Sequence, residues 1–274
     1  MSVRPGREES SAAGASSSSP GVMRHLVVGL SFSAILATVF TAWTPASLNP
    51  GELASRLASA LESRPAGTSV QAVATSLSVE GLHVGVVIGH SGPHPDSGFE
   101  DPGAVCPDGL TELQVNRSIG ELTAAGLQVA GLVPDILQEW DARLTGYRGV
   151  ALVSVHADSC VALGPEATGF KVAAAVDTAV PDRAQRLVTC VADRYSRATG
   201  LAYHPGSITV DMTEYHTFYE INSQTPAAII ETGFLYLDRG FLTQSPEQAA
   251  RGIVEGILCY LHNQPAAVPE LTVP

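Results

Sequence analysis

The sequence predicts an α/β fold: a single domain on a mostly parallel, twisted sheet flanked by helices, preceded by an N-terminal transmembrane helix. Three observations carry this. Short apolar, β-rich runs recur at 83–89, 150–155, 170–175 and 227–230, and near-continuous apolar runs suit strands covered on both faces. Helical stretches at 110–130, 182–199 and 246–261 separate them, and strands alternating with helices imply a layered α/β sandwich. An uncharged run at 26–43 stands ahead of all of these, just long enough to cross a bilayer as a helix.

Taken in order, residues 1–24 are rich in Ser, Gly, Ala and Pro with no apolar period, so a disordered cytoplasmic leader is expected. Residues 25–44 read as a signal-anchor. Arg4, Arg7 and Arg24 precede the apolar run, and the positive-inside tendency leaves everything beyond Trp43 outside the cytoplasm in a single-pass arrangement. The competing reading is a cleaved signal peptide and a secreted protein, for which only 44–46 offers a passable small-x-small site. Residues 45–81 hold Pro45, Pro50 and Pro65 around a short helical stretch at 52–62 and read as an extracytoplasmic linker. The folded domain is expected over 82–264, with a flexible tail at 265–274.

Composition narrows the function classes. With 274 residues, 45% hydrophobic and 15% charged, the chain can bury one sizeable core. The net charge is -12 and the single lysine is Lys171. A nucleic-acid partner is not expected, because its affinity would need a basic surface that this chain lacks.

Four polar residues stand where the pattern places chemistry. His90 follows the first strand, while His156 and Glu231 end the second and the last, so all three would emerge at strand C-terminal ends, the edge where open α/β sheets build sites. Glu112 falls in the first turn of a helix expected to begin near Asp108, with Asp108 as N-cap and Gly109 easing the turn. Two imidazoles and one carboxylate around an open position suit a catalytic zinc ion, with the second carboxylate free to act as a base. The bland readings are a strand-end cap for His90 and a dipole-favoured acid for Glu112. Glu231 follows Ala-Ala-Ile-Ile, where an unpaired carboxylate is expensive to bury, and that cost points to function. Asn116, one turn beyond Glu112, is placed to hydrogen-bond it. Asp158 and Thr232 read as groups that orient ligands or cap loops, and Asp158 would take a ligand's place if Glu112 is not one. His94, in a Pro- and Gly-rich loop, is expected to be exposed. Tyr215, His216 and Tyr219 would either line a substrate groove or pack on the sheet. The 131–149 segment is where a lid or regulatory element would sit.

Four cysteines in an exported domain allow disulfides, in three pairings. Cys106 and Cys160 both follow candidate ligands at one sheet edge, and Cys190 and Cys259 fall in two helices that could pack together, so Cys106 with Cys160 and Cys190 with Cys259 is the expected pairing. Neither Cys106 nor Cys160 shows the CxxC spacing of a zinc site.

The motifs Gly-His90, Asp101-Pro-Gly-Ala104, Gly-Leu-Thr-Glu112 with Asn116, Ser-Val-His156-Ala-Asp158 and Pro-Ala-Ala-Ile-Ile-Glu231-Thr-Gly-Phe234 follow one another in that order. From about His83 to about Leu261 the chain thereby resembles the zinc-dependent N-acetylmuramoyl-L-alanine amidases of the type 3 family. The resemblance implies one zinc ion held by His90, Glu112 and His156, with Glu231 as the catalytic carboxylate that takes a proton from water and returns it to the leaving amine. The substrate would be peptidoglycan, cut at the amide between the lactyl group of N-acetylmuramic acid and L-alanine. The chain departs from the family pattern around 140–147, where a Thr-Arg-x-x-Asp segment is replaced and only Asp141 and Arg143 echo it. It departs again in the long His90–Asp101 loop and in the aromatic stretch near His216. Two further readings stand beside this one: a noncatalytic or regulatory wall-binding protein on the same fold, and a zinc peptidase or deacetylase acting on another substrate. No motif specifies a protein activator.

Overall fold

The computed structural model describes residues 81–165 and 167–269. The leader, the membrane segment, the linker up to residue 80 and the last five residues of the tail lie outside them. Among the described residues no helix is long and apolar enough to cross a membrane.

The elements run β1 (His83–Ile88), α1 (Glu112–Val129), β2 (Val133–Gln138), β3 (Ala151–Asp158), β4 (Lys171–Ala174), α2 (Pro181–Thr199), α3 (Val210–Thr213), α4 (His216–Glu220), β5 (Ala227–Phe234), α5 (Arg239–Gln244) and α6 (Pro246–Leu261). They form one five-stranded sheet in the order β2-β1-β3-β5-β4. β2, β1, β3 and β5 are parallel, and β4 closes the edge antiparallel to β5. The apolar strand runs bury side chains on both faces. Val86, Val153 and Ile230 join a cluster with Ile119, Leu187 and Ile253 of the three long helices, while Val87, Leu152 and Ile229 meet Met212, Tyr215 and Phe218 on the other face. Each such side chain contributes roughly 1.5–3 kcal/mol when fully buried. The long helices α2 and α6 pack together and are joined by the Cys190–Cys259 disulfide. Cys106 is bridged to Cys160.

Three expectations are corrected. The 131–149 segment holds β2 and a 3-10 turn at Ala142–Leu144, where a lid element was expected. Its sequence, VPDILQ, lacks an apolar run because Leu137 alone of its six residues is buried, and at a sheet edge Pro134 is tolerated. β3 and β5 continue past His156 and Glu231, pairing as far as Asp158 and Phe234, so both residues lie within strands and not at their ends. Helix α1 is capped by Thr111, whose Oγ1 accepts the Gln114 N–H at 3.2 Å while Gln114 Oε1 accepts the Thr111 N–H at 3.1 Å. This reciprocal box satisfies two helix-end donors. Asp108 instead pairs with Arg239 outside the helix.

Candidate metal centre

The site forms where β1, β3 and β5 end and α1 begins. The chain leaves β1 through Gly89, where any Cβ would run into the His156 ring; only glycine permits that approach. His90 follows with φ 64, a left-handed conformation uncommon for a residue with a side chain. Its backbone N–H is held by Glu139 Oε2. Its Nδ1 lies 3.1 Å from Asp101 Oδ2, which turns Nε2 toward Glu112 Oε1 at 3.2 Å. His156, buried within β3, brings Nδ1 to 3.2 Å from the same Glu112 oxygen, with Nε2 3.4 Å from the Tyr215 hydroxyl.

Helix α1 delivers Glu112 as its first residue. Glu112 Oε2 accepts the Ala104 N–H at 3.1 Å, and Oε1 accepts from Asn116 Nδ2 and the Ala157 N–H, both at 3.3 Å. Asn116 thus braces Glu112 from one turn further along the helix, and also donates to the Gly89 carbonyl at 3.2 Å. The Asp-Pro-Gly-Ala motif acquires a physical content here: Asp101 pins one imidazole and Ala104 binds the carboxylate. Gly103, at φ 65, stands where a Cβ would fall 2.6 Å from Glu112 Oε2 and 2.8 Å from His90 Cδ2.

His90 Nε2, His156 Nδ1 and Glu112 Oε1 therefore converge, and the three residues offer ligand atoms within 4.8 Å of one another. The far nitrogen of each imidazole is tied to an oxygen acceptor, the arrangement that fixes a tautomer with its lone pair facing a cation. Glu231, register-paired with His156 on β3 and with Lys171 on β4, adds a buried Oε2 with no hydrogen-bond partner. Two nitrogens, one carboxylate oxygen and an orphaned carboxylate alongside fit a zinc ion with an open coordination position.

The two carboxylates differ in ionisation. For Glu112, burial pushes the carboxyl up, but the hydrogen bonds and charges of His156 and His90 outweigh it and hold it far below the usual range. For Glu231, burial dominates and lifts it to about 7, opposed by His156, reinforced by Glu112 and Asp158 and opposed again by Lys171. Burial pulls His90 down, yet Glu112, Glu139 and Asp101 raise it to about 9. His156 is raised in the same sense, by Glu112 and Glu231 against burial.

Other residues singled out in the sequence take separate places. Asp158 stays outside the convergent set, accepting the Ser159 N–H at 2.6 Å and Lys171 Nζ at 2.5 Å. Thr232 is buried and its Oγ1 donates to the His156 carbonyl at 2.8 Å, steadying β3 beside the ligand atoms. His216 stacks on Trp140 at 3.7 Å, and Tyr219 is exposed. His94 lies edge-on to Trp140 at 5.0 Å. Asp141 and Arg143 pair with each other at 2.5 Å, and Arg143 also donates to the Ile136 carbonyl at 2.8 Å, so this echo of the family motif shields the free edge of β2. A cleft of about 500 Å³ opens over His90, Glu112, His156 and Glu231, with Asp211 and Glu214 on its wall.

Sequence reasoning passed over Glu139 and assigned no site role to Lys171. The signal for Glu139 was positional: Ile88 of β1 is in register with Gln138 of β2, so the second residue beyond Ile88, His90, and the first beyond Gln138, Glu139, emerge at the same edge. That inference requires β2 to be recognised first.

No protein-family model matches the sequence, and no curated protein matches it. Solved structures do. The N-acetylmuramyl-L-alanine amidase Ami1 from Mycobacterium smegmatis superposes with a TM-score of 0.55 at 18% identity, over 68% of this chain and 99% of that one. Ami1 from Mycobacterium abscessus gives 0.52 at 19% identity, over 67% and 100%. The CwlD amidase from Clostridioides difficile, solved in complex with the GerS lipoprotein, gives 0.51 at 18% identity, again over 67% and 100%. At these identities the likeness is one of architecture, and the chain has the fold of the N-acetylmuramoyl-L-alanine amidases.

Proposed function

We propose that this chain is a zinc-dependent peptidoglycan amidase of the type 3 family, hydrolysing the amide between the lactyl group of N-acetylmuramic acid and L-alanine. The observation that carries the reading is the convergence of His90 Nε2, His156 Nδ1 and Glu112 Oε1 beside the unpartnered Glu231 Oε2. The fold likeness to amidases supports the same reading. One zinc ion held by His90, Glu112 and His156 would supply Lewis acidity toward the scissile carbonyl and the attacking water. Asp101 and Tyr215 keep the imidazole lone pairs inward, and Asn116 with the Ala157 N–H keeps the Glu112 carboxylate in place. Glu231 is the general base and acid: its free oxygen takes the water proton and passes it to the departing L-alanine amine. The apolar segment at 26–43 anchors the protein in the cell membrane with the domain extracytoplasmic, where its peptidoglycan substrate lies.

The test uses the full-length chain in mild detergent with purified peptidoglycan, with and without a zinc chelator, and with Glu231→Gln alongside. Mass spectrometry is expected to find stem peptides with a free L-alanine amine only when metal and Glu231 are both intact. One zinc per chain with glycan and peptide still joined would favour a wall-binding protein on this fold. Release of acetate or of internal peptide fragments would reassign the substrate.

A further inference from the structure

β2 delivers a buried carboxylate that the proposed hydrolysis does not use. Glu139 is 6% exposed and its two oxygens serve two different partners. Oε2 accepts the backbone N–H of His90. Oε1 accepts the Tyr215 hydroxyl at 3.0 Å and His216 Nε2 at 3.2 Å. His216 is itself held by Glu220 at 3.0 Å and by the stacked Trp140 ring, which fixes the carboxylate from behind.

The consequence for His156 follows from donor counting. An ionised carboxylate only accepts, so the Tyr215 hydroxyl proton is committed to Glu139. The hydroxyl oxygen then accepts from His156 Nε2–H and from Ser154 Oγ–H, each 3.4 Å away, and with Nε2 carrying its proton into this bond, Nδ1 beside Glu112 is the nitrogen that would give its lone pair to a cation. For His90 the hold is on the backbone, at a residue whose left-handed φ persists only when its surroundings impose it.

We propose that Glu139 is a positioning residue that presets both imidazoles for metal, gripping His90 by its backbone and His156 through the Tyr215 hydroxyl. The inference rests on the zinc reading above. It gives the aromatic stretch around Tyr215 and His216 a role in holding the metal centre.

The experiment measures zinc dissociation constants by chelator competition on the full-length wild type, Glu139→Gln, Tyr215→Phe and the double variant. Imidazole nitrogen NMR of the zinc-loaded proteins reports the hydrogen bond at His156 Nε2–H. Each single variant is expected to bind zinc about 10–100-fold more weakly. The double variant should be no weaker than the worse single one, as for members of one network. The His156 Nε2–H resonance should shift and lose its protection from solvent exchange in Tyr215→Phe. Wild-type affinity in both single variants would overturn the proposal while leaving the zinc reading intact. If wild type itself binds no zinc, the zinc reading fails separately, and an unchanged Nε2–H resonance in Tyr215→Phe would overturn the positioning role as well. Tyr215→Phe keeps the packed ring, so it decides the question even if Glu139→Gln does not fold.

Discussion

The two flanks of the site use the same residue type to opposite ends. On the β1–β2 flank, Glu112 and Glu139 have every oxygen engaged by a donor, and both carboxyls are held low, Glu139 at about 2, where His216, His156 and His90 overcome the upward push of burial. On the β3–β5 flank, Glu231 keeps one buried oxygen without a donor and is lifted to about 7. Burial acts in the same direction on all three. What separates them is the supply of hydrogen-bond donors, the difference that the proposed function uses when it gives Glu112 to a cation and Glu231 to proton transfer.

The contrast can be tested from its strongest consequence downward. Glu231→Gln is expected to slow hydrolysis by about 10²–10⁴-fold while zinc affinity stays within about twofold; loss of metal as well would erase the distinction between the flanks. Lys171→Met leaves Asp158 without its partner in a largely buried setting and should cost about 3 kcal/mol in metal-free urea unfolding. Lys171→Arg should keep most of that stability, and an equal loss with arginine would mean that shape, and not charge, matters at this position. The third prediction concerns pH. Because the Glu231 carboxyl is raised on folding from 4.5 to about 7, its contribution is present below pH 4.5 and is lost as pH rises through 7. Metal-free Glu231→Gln should therefore be more stable than wild type by on the order of 3 kcal/mol at pH 8, with the gap closing by pH 4.5; a constant gap would show that Glu231 does not titrate in this window. The smallest effect is expected from Asn116→Ala, which removes one donor from Glu112 and should weaken zinc binding about 10-fold without changing the pH dependence of unfolding.

The legibility of these features follows their range along the chain. β1, β3, β4 and β5 were visible because each buries both faces and so reads as an apolar run, and the three long helices were visible between them. β2 was not, since an edge strand carrying Pro134 and Asp135 has no such run. The start of α1 was displaced because Asp108 and Thr111 are both good capping residues, and only the Arg239 partner of Asp108 separates them. Among site residues, His90, Glu112, His156 and Glu231 lie in short motifs whose neighbours report their setting. Glu139 lies in no such motif, and its partners Tyr215 and His216 are 76 and 77 residues away.

The amino-acid sequence by itself determined the fold class, the four chemistry-bearing residues and the even set of cysteines, because these depend on local periodicity and residue type. Tertiary structure alone decided which imidazole nitrogen faces inward, which carboxylate oxygen is left without a donor, and that Lys171 pairs with Asp158. Those properties depend on donors and charges within about 4 Å, where Coulomb and hydrogen-bond energies are large, and such neighbours are assembled by strand register and helix packing.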